Sequence, residues 1–102
     1  MNNLLLTERE LDVVAKSLRA AANGTFFPDW EFETLTGATR NKIRSEADAW
    51  LGTTERSPQM RELALSVISN LLGYPHDQRS ELEALIGADS TELTALLRKL
   101  SA

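Results

Sequence analysis

Five glycines stand singly at positions 24, 37, 52, 73 and 87, and in the runs between them apolar residues recur at spacings of three and four. That period marks a helix burying one face, and a glycine closing such a run is a common helix stop. No stretch alternates apolar and polar residues with a period of two, so no strand is expected. The chain therefore reads as all-α: a compact bundle of about six helices forming a single domain over 1–102. Its length suits one domain, and 42% apolar residues can fill one core.

The helix boundaries are written in cap chemistry. Thr7 with Glu10 forms a capping box, flanked by Leu6 and Leu11 as a hydrophobic staple. Leu11, Val14, Ala15 and Leu18 mark the first helix's apolar face. Gly24 is expected to end it in a left-handed conformation. A short second helix is expected from Asp29 to Leu35, entered through Pro28 and stopped by Gly37. Thr39 caps a third, whose buried face is Ile43, Ala47, Trp50 and Leu51. Ser57-Pro58 opens a fourth that is apolar on more than one side, and it is expected to be the central, most buried helix. A fifth starts near Asp77 and presents Leu82, Leu85 and Ile86. Asp89 caps a sixth, with Glu92 completing a second capping box and Leu93, Leu96, Leu97 and Leu100 as its stripe.

The halves resemble each other. Leu35-Thr36-Gly37-Ala38 matches Leu85-Ile86-Gly87-Ala88 at a displacement of 50, and Ile43, Ala47 and Trp50 fall on Leu93, Leu97 and Leu100. Phe27-Pro28 and Tyr74-Pro75 align at 47, as though three residues had entered the second half. Two pseudo-repeated three-helix units, about 7–52 and 57–101, are expected to pack face to face.

Composition narrows the chemistry. With no cysteine and the single histidine His76, thiolate nucleophiles, disulfides and Cys/His metal clusters are excluded. No glycine-rich phosphate loop occurs. His76-Asp77 invites a general-base reading, but adjacent residues seldom orient each other as a catalytic pair. The expectation is no enzyme and no cofactor. Net charge is −4 and the acidity is evenly spread, which disfavours non-specific nucleic-acid binding and accommodates a basic protein partner. The N-terminal leucines are too few for a membrane span or signal peptide, so a cytoplasmic location is expected.

Two surface constellations compete. Asp29, Trp30, Glu31 and Glu33 gather on the short second helix, and Trp30 is the ring expected to face outward from the aromatic group Phe26, Phe27, Trp30, Phe32 and Trp50. Carboxylates around an exposed indole suit a protein-binding patch. The alternative is a helix-turn-helix, with Gly37 at the turn and Arg40, Asn41, Lys42 and Arg44 presented to DNA by the following helix. Glu33, four residues before the turn glycine where a small residue is usual, and Glu46 and Asp48 on the recognition helix count against it. The favoured reading is a non-catalytic interaction module, of the immunity, antitoxin or adaptor kind. Leu4, Leu5, Leu65 and Leu72 exceed what single helix faces need and leave a homodimer open.

The stretch Phe26-Phe27-Pro28-Asp29-Trp30-Glu31-Phe32, then Leu35-Thr36-Gly37, then Ile43-Arg44 with Ala47 and Ala49-Trp50, resembles a pattern in small bacterial hypothetical proteins. The resemblance implies a bacterial source and carries over no functional residue.

Overall fold

A computed structural model describes residues 6–52 and 57–101. They form six α-helices and one 3-10 turn, with no strand among them: α1 Glu8–Asn23, the turn Asp29–Glu31, α2 Phe32–Thr36, α3 Arg40–Gly52, α4 Pro58–Gly73, α5 Arg79–Ile86 and α6 Ser90–Ser101. The expected second helix is thus a 3-10 turn running into α2. Residues 53–56, between α3 and α4, lie outside the described residues, as do Leu4 and Leu5.

Caps do what the sequence demands at most ends. Thr7 accepts from Glu10 N–H while the Glu10 carboxylate accepts from Thr7 N–H, closing the capping box. Ser57 accepts from Met60 N–H, with Pro58 in the first turn. Thr39 and Asp89 accept from Lys42 and Glu92 N–H. The second capping box does not close, because the Glu92 side chain turns to Arg9 instead. Nor does Asp77 cap α5. It sits at φ 59°, and Gln78 precedes the helix without a side-chain cap.

Glycine serves two different ends. Gly37 and Gly87 take φ of 85° and 75° and donate to Glu33 and Glu83 carbonyls, as left-handed caps. Gly24 is instead extended, at φ −89°. Its need is space: a Cβ there would lie 2.7 Å from both the Ala20 carbonyl oxygen and the Phe26 ring.

The core joins all six helices. α1 packs on α3, α4 and α5, while α4 packs on α6 and α2. The most buried helix is α1, not α4: it buries Val13, Val14, Ala15, Ser17, Leu18 and Ala20–Ala22, against Ala64, Val67, Ile68 and Leu71 from α4. Alanines on several sides of α1 let neighbours close in all round. Met60, Leu63, Leu65 and Leu72 of α4 are only half-buried against the core. Leu51 and Leu85, both expected inside, are 51% and 53% exposed.

The described helices follow one displacement. α1 with its cap Thr7 and α4 with its cap Ser57 have identical lengths and start 50 positions apart. The cap bonds Gly37–Glu33 and Gly87–Glu83, and Ile43–Thr39 and Leu93–Asp89, are also 50 apart. Exchanging α1, α2 and α3 for α4, α5 and α6 turns each principal packing pair between helices into another. The aromatic-proline displacement of 47 is not the one the helices keep.

Candidate interaction site

The site is built by two inward rings on either side of one outward ring. Phe27 and Phe32 are buried, and they meet edge to face at 6.2 Å between centroids. Phe27 also meets the Tyr74 ring edge to face at 5.6 Å. Burying both flanks of a 3-10 turn leaves its middle residue no inward direction, and Trp30 is 80% exposed.

Arg40 locks this turn in place. Its guanidinium stacks 4.2 Å above the Phe32 ring centroid. One nitrogen donates to the Phe27 carbonyl at 3.1 Å and to Asp29 Oδ1 at 2.7 Å. The other reaches the carbonyls of Ala21 at 3.3 Å and Ala22 at 3.1 Å, the last turn of α1. α1 has no basic residue in its own last turn, so Arg40 supplies from α3 the cation that unpaired helix carbonyls favour. Arg44 does the same, donating to Ala22 O at 3.2 Å, Asn23 Oδ1 at 2.6 Å and Asn41 Oδ1 at 2.7 Å.

The four proposed DNA-contacting residues therefore divide. Arg40 and Arg44 hold the end of α1, Asn41 orients Arg44, and Lys42 pairs with Glu46 at 3.5 Å. Of the acidic set, Asp29 pairs with Arg40 but its side chain stays 94% exposed. Glu31 Oε2 accepts from the Tyr74 hydroxyl at 2.8 Å, and Glu33 is exposed on α2. The hydrogen bond to Glu31, with burial, raises the Tyr74 phenol above its ordinary value, so the phenol remains a donor. Sequence spacing foresaw the outward Trp30. It did not reveal Arg40 or Tyr74 as the residues fixing the turn, because both act across 11 or more positions.

His76 has no free nitrogen for catalysis. Its Nδ1 accepts from Gln78 N–H at 2.9 Å, which leaves Nε2 to donate to the Leu71 carbonyl at 2.8 Å. Its ring packs edge to face on Phe26 at 5.1 Å. The His76-Asp77 pair belongs to the end of α4. Among the described residues, no three carboxylates or histidines gather as metal ligands would, and no helix is long and apolar enough to cross a membrane. Comparison with protein-family models, curated proteins and solved structures gives no match.

Proposed function

We propose that this chain is a non-catalytic protein-binding module that docks a basic partner through Trp30, Asp29, Glu31 and Glu33, in the manner of an immunity protein, antitoxin or adaptor in the bacterial cytoplasm. The observation that carries this reading is Trp30, an indole 80% in water on a turn that Phe27, Phe32, Arg40 and Tyr74 hold still. Exposing so much apolar surface costs solvation without adding to the fold, and large rigid aromatics are frequent energetic centres of interfaces. Carboxylates beside the ring favour a cationic partner by charge complementarity. Arg40 and Arg44 already serve the end of α1, so the DNA-binding alternative lacks two of its four groups.

We also infer that the chain is two three-helix units, supported by the common displacement of 50 in caps and helices. Quantitative affinity capture from the source cell tests the main reading. A partner held by the native chain should be lost, at least tenfold, on Trp30→Ala, and weakened by Glu33→Gln. Equal recovery by Trp30→Ala would end the proposal. Capture of a second copy alone would replace it with a homodimer.

A further inference from the structure

Asn23-Gly24 is the one place in the chain where an asparagine precedes a glycine. Such a pair is chemically labile. With no Cβ on the second residue, nothing shields its amide nitrogen from the asparagine side chain, and the backbone turns freely enough to bring the two together. The fold admits no larger residue here. A Cβ at position 24 would lie 2.7 Å from both the Ala20 carbonyl oxygen and the ring of Phe26, which is buried. The approach of that ring therefore requires the glycine, and with it the labile pair.

Asn23 is the last residue of α1 and is exposed. An open groove of about 410 Å³, lined in part by Asn23, Gly24, Arg40 and Arg44, gives water access to it. Two contacts hold the pair in an unreactive arrangement. Gly24 N–H donates to the Ala20 carbonyl at 2.8 Å, which directs the nitrogen along the helix. Arg44 Nε donates to Asn23 Oδ1 at 2.6 Å, and a second nitrogen of the same guanidinium donates to the Ala22 carbonyl at 3.2 Å. The Asn23 side chain is thus pinned to α3. Asn41 Oδ1 accepts from the third nitrogen of Arg44 at 2.7 Å and fixes its direction.

We propose that Asn23 is a self-modification site that deamidates when the last turn of α1 opens, and that Arg44 sets the rate by holding that turn closed. On opening, the Gly24 nitrogen attacks Asn23 Cγ. The new N–Cγ bond closes a succinimide ring, the Cγ–Nδ2 bond breaks, and the Gly24 amide proton leaves with Nδ2 as ammonia. Water then adds to one of the two imide carbonyls and opens the ring to aspartate or isoaspartate. The aspartate form places a carboxylate beside Arg44. The isoaspartate form routes the main chain through Cβ, adds one carbon to the path from α1 to Phe26, and so loosens the lead into the Trp30 turn. The inference stands apart from the binding role of Trp30.

The test incubates the full chain at mildly alkaline pH and follows residue 23 by peptide mass spectrometry with isoaspartate detection. In guanidinium chloride, where no helix restrains it, Asn23 should convert fastest of the asparagines. In the folded chain it should convert far more slowly. Arg44→Gln should speed it about tenfold, the factor that one hydrogen bond from a charged group contributes to keeping the turn closed. Asn41→Ala, at an exposed position, should speed it by a smaller factor. Glu92→Gln, which breaks the Arg9 pair without touching the end of α1, should leave the rate unchanged and so separates local opening from global unfolding. Equal or slower conversion in a folded Arg44→Gln would overturn the proposal, a slower rate making the guanidinium an activator of the amide. So would conversion in the folded native chain as fast as in denaturant, or an equal acceleration by Glu92→Gln. Should Arg44→Gln not fold, an unaltered rate in Asn41→Ala decides against it.

Discussion

Arg40 shows how one side chain can serve fold and site together. It holds α1 carbonyls, the Phe27 carbonyl, Asp29 and the face of Phe32, and it is three-quarters buried. Its removal strands several acceptors at once. Arg40→Ala should therefore destabilise the fold by about 1–3 kcal/mol, the range for leaving buried polar groups unsatisfied. Lys at this position should recover little, since an ammonium cannot reach two directions in a plane. Chemical denaturation checks this, with Trp30→Ala as the contrast: an exposed residue away from such features should shift stability by no more than about 0.5 kcal/mol. The sequence marked Arg40 only as a candidate DNA contact on the helix after Gly37. Its partners come from α1, the turn and α2, and no local pattern encodes such a convergence.

Helices were legible where their signals are local. Thr7 with Glu10, Ser57-Pro58, and Gly37 with Gly87 specify ends within a few residues, and the structure keeps them. Misreadings arose where a neighbouring helix decides. Leu51 and Leu85 lie in apolar runs yet have no neighbour to bury them. Gly24 resembles any helix-stop glycine, but it is required by the Phe26 ring. Glu92 has capping-box spacing but is drawn away by Arg9. That last contact joins helices far apart in sequence. Arg9 meets Glu92 at 2.8 Å and also the Gly87 carbonyl, and Lys99 meets Glu10 at 2.8 Å. The Arg9 hydrogen bond lowers the Glu92 carboxyl below its ordinary value. Burial pushes Glu10 upward, but its bonds to Lys99 and Thr7 win and lower it. A lowered folded-state value means stability fully present above the unfolded carboxyl range and lost as pH falls through the folded value. Thermal melts from neutrality down to about pH 3 should show that loss. The Glu10→Gln/Glu92→Gln pair should be less stable at neutrality and show a shallower acid slope. An unchanged slope would remove these pairs from the ledger of acid sensitivity.

Across the whole molecule, charge is arranged so that Arg40 beside the Trp30 turn serves the fold while Asp29 on that turn stays in water. The net charge of −4 is spread over both halves, and the guanidinium of Arg40, which pairs with Asp29 on the Trp30 turn, is stacked on Phe32 and largely covered. Asp29, next to Trp30 in the chain, and Glu33 on α2 remain exposed. The turn's outward indole could be read from spacing, whereas the field around it could not, because it depends on which arginines the fold consumes. An accessible indole in a negative field is the feature on which the functional reading stands. Fluorescence quenching measures both properties, with Trp30 isolated by difference from Trp30→Phe and Trp50 as the buried reference. Trp30 should be quenched efficiently by neutral acrylamide and, with each ion's quenching taken relative to its quenching of free N-acetyltryptophanamide, more by caesium than by iodide at equal ionic strength. A Trp30 signal as shielded as that of Trp50, or one in which the relative quenching by iodide is the greater, would contradict the account.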